Sequence, residues 1–267
     1  MKLKTLVNKS HYATLGYVSS LTDLDILESY ILYNLDCLRE FDNIIVATNY
    51  GTDNTDNLII ANRELWKKYF NNCVIIDSSI NRGHNHGYTD LDNLIFDYCK
   101  SNNITWLCKS ANDTILNKSF LNIEITEADF YYTNGISYET LYLNNFDYKK
   151  LYDEYFYPQT NFYFINVSKC DYLNDKKYLD ETYEYSKSIP NYNGKIWEYI
   201  KGWSCEDFLK NCVERNNLTK FYLLDYEKHI KLSEAIKNYG IGDPSHKNII
   251  INGICHLHYF NHNVIEI

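Results

Sequence analysis

The chain has 267 residues, 45% of them hydrophobic and 23% charged, the make-up of a packed globular protein, which excludes disorder and collagen-like repeats. Its net charge of −9, with no block of Lys or Arg, excludes a sequence-independent grip on nucleic acid but leaves room for a nucleotide held by backbone amides or a metal ion. Met1-Lys2-Leu3-Lys4-Thr5 carries no apolar stretch and no run approaches the about 18 residues of a spanning helix, so no transmembrane segment and a cytoplasmic location are expected.

A β-rich run covers residues 13–20. Leu24, Leu27, Ile31, Leu35 and Leu38 then follow the 3–4 spacing of an amphipathic helix, with Thr22 placed to cap it. An apolar strand at 44–48 is followed by a helical pattern on Leu58, Leu65, Trp66 and Tyr69. A strand at 73–77 precedes a stripe of Leu91, Leu94, Ile95, Tyr98 and Cys99, and a strand at 104–108 closes the series. Ile44, Val74 and Ile104 are equally spaced. Apolar strands alternating with amphipathic helices mean βαβ units, and hence an α/β fold with a mostly parallel sheet covered on both faces.

Further along, residues 129–133 and 161–166 predict strands, with a Tyr-rich stretch at 151–157 between them. Residues 180–194 are the most loop-like part of the chain and are expected to form a cover. Residues 254–259 alternate in polarity, as in a short strand. Only three prolines occur and no Gly/Ser/Pro-rich linker divides the halves, so one continuous domain is expected. The eight cysteines are scattered without a CxxC pair; in a reducing compartment they read as small buried apolar residues.

In such sheets ligands bind beyond the carboxyl ends of the strands. The segments there are Ser19-Ser20-Leu21, Asn49-Tyr50-Gly51-Thr52-Asp53, Asn81-Arg82-Gly83-His84-Asn85-His86-Gly87 and Lys109-Ser110-Ala111-Asn112-Asp113. All are polar, and all are also ordinary turn formers. Neither GxGxxG nor GxxxxGK[ST] is present, so dinucleotide and P-loop sites lose their main signal.

These segments, in this order, resemble glycosyltransferases of the GT-A fold, closest in style to family 2. The likeness runs over about residues 13–120, with a weaker continuation to the C-terminus. Asn49-Tyr50-Gly51-Thr52-Asp53 is similar to the family's Asp-Gly-Ser-x-Asp-like loop, with Asn49 where an acid is usual. Asn81-Arg82-Gly83 is similar to the Asn-x-Gly before a helix that carries part of the nucleotide site. Ser110-Ala111-Asn112-Asp113 stands where the family has its metal-binding Asp-x-Asp, with Asp113 keeping its carboxylate.

Gly202-Trp203-Ser204-Cys205-Glu206-Asp207 resembles the Trp…Glu-Asp segment that supplies the base in inverting members. The resemblance implies a GT-A-like Rossmann-type sheet with a smaller acceptor-side region: 1–120 as donor half, 121–267 as acceptor and catalytic half. It implies Asp207 as general base, Glu206 on an acceptor hydroxyl, and Trp203 stacked on the acceptor. Ser19, Asn49, Asn81, Gly83, Lys109, Asn112 and Asp113 would line the donor. Mn²⁺ or Mg²⁺ would be held by Asp113 and a C-terminal histidine, His258 before His256; a hard cation takes oxygen ligands and the donor diphosphate.

The same residues have plainer uses. Glu206 and Asp207 suit the positive end of a helix, Asp113 suits a turn, and Lys109 suits a snorkelling surface position. His84 and His86 suit solvated positions better than donor contacts. The expected function is transfer of a sugar from a nucleoside-diphosphate sugar to an acceptor hydroxyl of a glycan or glycoconjugate, by inversion. The alternatives are a catalytically inactive sugar- or protein-binding module on the same frame, supported by the missing acids at Asn49 and Ser110, and a sugar nucleotidyltransferase, which would want a basic Gly-rich loop after the first strand.

Overall fold

The computed structural model describes residues 1–52, 55–111, 114–134, 156, 158–171, 176–190, 204–223, 248–250, 254–256 and 264–266. After a short α1 (Leu3–Val7) the chain alternates β1 (Ser10–Val18), α2 (Leu21–Leu38), β2 (Asn43–Tyr50), α3 (Thr55–Tyr69), β3 (Val74–Ser78), α4 (His84–Ser101) and β4 (Trp106–Ala111). Then come β5 (Thr114–Leu116), β6 (Phe130–Asn134), β7 (Pro158–Asn166), α5 (Lys176–Lys187), α6 (Cys205–Arg215) and β8 (Lys220–Tyr222). Three short strands follow: β9 (Asn248–Ile250), β10 (Ile254–His256) and β11 (Val264–Glu266).

One seven-stranded sheet has the order β3-β2-β1-β4-β7-β6-β8. β1 is parallel to both neighbours, with Ala13 opposite Ile45 on one side and Lys109 on the other. Within this sheet only β7 runs against the rest, pairing antiparallel with β4 and with β6. The α/β class and the mostly parallel sheet are thus as expected from the alternating pattern.

Strand alternation divides the core in two. Tyr12, Ile44, Val46, Cys108, Phe162 and Phe164 pack with Leu24, Leu27, Tyr30 and Ile31 of α2 and Leu58 and Trp66 of α3. On the opposite face Ala13, Ile45, Ala47, Leu107, Tyr163 and Ile165 pack with Leu91, Ile95 and Phe96 of α4 and Leu209 and Val213 of α6. Each large apolar side chain buried this way contributes roughly 1.5–3 kcal/mol, and continuous apolar strands are what a sheet covered on both faces requires.

Two local expectations are corrected. The N-cap of α2 is Ser20 and not Thr22: Ser20 Oγ accepts from Asp23 N at 3.3 Å, and Asp23 Oδ2 accepts from Ser20 N at 3.0 Å. A capping box needs an acid three residues beyond the cap, and Asp23 stands in that relation to Ser20. The first part of the supposed loop at 180–194 is helical through Lys187, because Leu179, Thr182 and Ser186 give α5 a buried stripe at 3–4 spacing despite its polar composition. Among the described residues no helix is long and apolar enough to cross a membrane.

β5 is held from two sides. It pairs antiparallel with β10, Thr114 opposite His256. Asn34 of α2 acts as a strand edge: its Nδ2 donates to the Thr114 carbonyl at 2.9 Å and its Oδ1 accepts from Leu116 N at 2.6 Å. Asn34→Ala strands both buried backbone groups and is expected to lower stability by about 2 kcal/mol, read by urea unfolding. Exposed Leu32→Ala on the same helix should change it by less than about 0.5 kcal/mol; equal effects would mean that Asn34 does not hold β5.

Candidate functional site

The strand order reverses at β1. Its crossover through α2 leads to β2 on one side, while α4 returns the chain to β4 on the other, so the switch point, where sheets of this kind bind ligands, lies at the carboxyl ends of β1 and β4. β4 stays paired with β1 only to Ala111 opposite Leu15, whereas β2 stays paired to Tyr50 opposite Val18. Tyr17, on the stretch of β1 beyond β4, is 49% exposed there.

Hydrogen bonds gather the loops beyond β1, β2 and β3 around this point. Gly51 N donates to the Val18 carbonyl at 2.9 Å. Ser19 donates from N and from Oγ to Asp23 Oδ2, each at 2.7 Å. Asn81 Nδ2 reaches the Tyr50 carbonyl at 3.5 Å, and Asn81 Oδ1 accepts from Gly83 N at 3.2 Å.

Gly83 has φ +81°, a left-handed conformation that suits glycine, and α4 starts on it with no side-chain cap. The first amides of such a helix have no intrahelical partner, which favours an anion. Asn49 is 4% exposed, and its Oδ1 has no hydrogen-bond partner among the described residues. A side chain at Gly87 would meet Asn49 Nδ2 at 3.2 Å, so the first turn of α4 rests on Asn49. Ser19, Asn49, Asn81 and Gly83, scattered in sequence, are thus neighbours at one end of the sheet.

Lys109, expected beside a diphosphate, sits instead inside the layer between the sheet and α4. It is 0% exposed, donates to the Tyr88 hydroxyl and the Thr160 carbonyl, and pairs with Asp92 Oδ1 at 3.4 Å. Its ammonium also lies 3.9 Å from the Tyr88 ring centroid. Burial pushes the Lys109 pKa down while the Asp92 carboxylate pulls it back; burial likewise pushes Asp92 up, against the pull of Lys109. Ser110, in the place of the family's first acid, points to the other face, where its Oγ contacts the hydroxyls of Tyr12 and Tyr30. That pocket is closed, so Ser110 supplies no ligand.

Asn112, Asp113, Trp203 and His258 lie outside the described residues. Thr114 Oγ1 donates to the Asn161 carbonyl at 3.0 Å, and the adjacent Thr160 Oγ1 donates to Glu206 Oε1 at 3.0 Å. Consecutive residues of β7 therefore join the strand after Asp113 to the acid pair of α6, while β10 lies along the other edge of β5.

The α6 start is a second capping box. Ser204 donates to Asp207 Oδ2 from N at 3.0 Å and from Oγ at 2.8 Å, and Asp207 N donates back to Ser204 Oγ at 3.1 Å. Glu206 turns the other way. Its Oε1 takes the Thr160 hydroxyl and its Oε2 the Cys205 thiol at 3.2 Å. Among the described residues no cluster of three His, Cys, Asp or Glu could hold a metal ion.

Sequence reasoning missed Tyr17, Tyr88, Asp92 and Thr160 as parts of this end of the molecule. Tyr17 was legible as the residue two before Ser19 on an alternating strand, and Tyr88 and Asp92 as an i, i+4 pair on the helix after Gly83. Thr160 carried no local signal, because a strand pairing far away in sequence brings it in.

α5 closes over the start of α4. Arg82 donates to Asp90 from Nε and Nη2, and to Asp180 of α5 from Nη1 at 2.5 Å, with its guanidinium 5.1 Å from the Tyr183 ring centroid. His86 is 1% exposed, not solvated as expected. Its Nε2 lies 3.1 Å from Thr182 Oγ1 and its ring meets the Tyr183 ring edge-on. Burial first, and then the Arg82 charge, push its pKa down to about 4.

Neither a protein-family model nor a curated protein sequence matches the chain. Among solved structures it is similar to a nucleoside-diphosphate-sugar pyrophosphorylase from Vibrio cholerae, with TM-score 0.40 and 10% identity over 80% of this chain and 91% of that one. It is also similar to core-mannan synthase A from Aspergillus fumigatus in a Mn/GDP form, with TM-score 0.42 and 8% identity over 77% and 69% of the two chains. Mouse xyloside xylosyltransferase 1 in its apo form gives TM-score 0.38 and 11% identity over 93% and 98%. These likenesses are too distant to carry a function.

The state of His86 makes stability depend on pH. An unfolded histidine takes up a proton near pH 6.5, and the folded one only near 4. The folded state is therefore fully favoured above pH 6.5 and loses on the order of 2–3 kcal/mol as pH falls through 6.5 towards 4. Urea unfolding at pH 7 and 4.5 should show that His86→Gln removes most of this difference. The same pH dependence in wild type and variant would contradict the assignment.

Proposed function

We propose that the chain is a nucleotide-sugar glycosyltransferase that works by inversion at the carboxyl end of its sheet. The nucleoside diphosphate lies across the loops of Ser19, Asn49, Asn81 and Gly83, with Tyr17 available as a stacking surface for an aromatic base or sugar. The acceptor approaches from α6. Asp207 takes the proton from the attacking hydroxyl through Oδ1, since Oδ2 serves the capping box, and Glu206 holds an acceptor hydroxyl. The hydroxyl oxygen bonds to the anomeric carbon as the bond to the diphosphate breaks, and the nucleoside diphosphate leaves with the electron pair. A carboxylate in this role contributes about 10²–10⁴-fold.

The observation that supports this most is the convergence on β7. Asn161 accepts from Thr114 and Thr160 donates to Glu206, so the starts of β5 and α6 meet consecutive residues of β7 although distant in sequence. Asp113 and His258 remain the proposed ligands of Mn²⁺ or Mg²⁺, and no step above is routed through a metal. A donor half over 1–120 and an acceptor half over 121–267, with a glycan or glycoconjugate acceptor, belong to the same proposal. The second reading, a non-catalytic sugar- or protein-binding module, is favoured by the enclosed Ser110, which leaves one acid fewer than the family uses.

Turnover decides between them. Hydrolysis of UDP-, GDP-, CMP- and dTDP-sugars should be measured on wild type, Asp207→Asn and Glu206→Gln, with thermal stabilisation by each nucleotide alongside. The expected result is turnover with one nucleotide family, lost about 100-fold or more in Asp207→Asn while nucleotide stabilisation is kept. Stabilisation without turnover in any sample would favour the binding module. Turnover indifferent to Asp207→Asn would remove Asp207 as the base.

A further inference from the structure

The acid pair of α6 is connected to a buried charge in the donor half, and the connection passes through one residue. Thr160 is 5% exposed and makes two different kinds of bond. Its carbonyl accepts from the Lys109 ammonium and from the Tyr88 hydroxyl, the latter at 2.8 Å. Its hydroxyl donates to Glu206 Oε1 at 3.0 Å. The backbone of Thr160 is thus fixed by β4 and α4, and its side chain fixes a carboxylate on α6.

The charges around this point are arranged to keep it rigid. One buried ammonium, that of Lys109, faces the carboxylates of Asp92 on α4 and Glu206 on α6. Tyr88 of α4 and Tyr163 of β7 present their rings to it, with centroids at 3.9 and 5.4 Å. Cys205, the first residue of α6, donates its thiol to Glu206 Oε2, and burial keeps that thiol protonated, well above its ordinary range. Both oxygens of Glu206 therefore accept from neutral donors whose own positions are set by packing. A hydroxyl with two χ1 options and one carbonyl clamped by two donors has little freedom to wander.

We infer that Thr160 is the positioning residue for Glu206, clamped in turn by Lys109 and Tyr88, so that the geometry of the acceptor side is set by an ion pair buried in the donor half. This rests on the glycosyltransferase reading for its consequence in catalysis, but the positional statement itself stands on contacts. Lys109 then serves the reaction through Thr160, without touching donor phosphate.

Thr160→Val keeps the shape of the side chain and removes the hydroxyl; Thr160→Ser keeps the hydroxyl. Crystal structures of both variants without substrate should show the Glu206 carboxylate displaced in Thr160→Val and in its wild-type place in Thr160→Ser. An unmoved Glu206 in Thr160→Val would overturn the inference. In donor hydrolysis, with UDP-, GDP- and dTDP-sugars as probes, water needs no hold from Glu206, so Thr160→Val and Thr160→Ser should both keep kcat and the donor KM within about threefold of wild type.

A displaced Glu206 in Thr160→Ser, or a changed donor KM in Thr160→Val, would also overturn it. If wild type hydrolyses none of these donors, the functional reading fails while the crystallographic comparison still decides the positioning. Lys109→Met leaves Asp92 buried and unpaired and is expected to impair folding, so the serine and valine pair carries the test.

Discussion

Everything in this molecule hangs on β1 being buried on both faces at the centre of a parallel sheet. A parallel neighbour can be reached only by a crossover, and crossovers keep one hand. α2 and α3 therefore cover one face and α4 the other. The chain cannot do this without reversing the strand order at β1, and the reversal sets the switch point at the carboxyl ends. Three separate stretches of the chain, Tyr17 with Ser19, Asn49, and Asn81 with Gly83, come to one end of the sheet as a consequence of topology.

The second constraint is the antiparallel strand β7, which carries the sheet beyond β4. It brings Thr160 and Asn161 against Lys109, Tyr88 and Thr114 and gives α6 a surface to pack on. A buried ion pair stabilises a fold only weakly once desolvation is counted, so the Lys109–Asp92 pair is poorly explained as a source of stability. Its value lies in geometry: it fixes the layer between β4, α4 and β7 on which the start of α6 is seated. The same logic applies to Asn34, which spends a fully satisfied buried amide on fixing β5 just after Asp113.

Much of the fold was legible in the sequence. The equal spacing of Ile44, Val74 and Ile104 marks strands of one parallel sheet, because each must be apolar on both sides and each βα unit has a similar length. The helical stripes of α2 and α4 were visible for the same reason. The start of α2 was misplaced from Ser20 to Thr22 because capping depends on the reciprocal acid at Asp23, which a single-residue preference overlooks. Helix α5 was taken for a loop because only Leu179 of its buried face is apolar; Thr182 and Ser186, small and polar, hide the period.

The site was legible only in part. That Ser19, Asn49, Asn81 and Gly83 stand at one end of the sheet was legible, because each lies at or just past the carboxyl end of a strand. Lys109 was expected beside the donor, since nothing local to a strand end tells that this lysine turns inward to meet a buried acid on the preceding helix, Asp92 of α4. Thr160 was invisible for the same reason: its importance comes from β4–β7 register and from α6, and neither leaves a mark on residues 158–162.

The most direct test of the central claim, that the switch point at β1 and β4 takes a nucleoside diphosphate, is amide hydrogen exchange with and without UDP, GDP, CDP and dTDP. The account predicts that one of them slows exchange in residues 17–23, 49–52 and 78–88 together, leaving the opposite end of the sheet unchanged. Protection confined to any other region, or none with all four nucleotides, would contradict it.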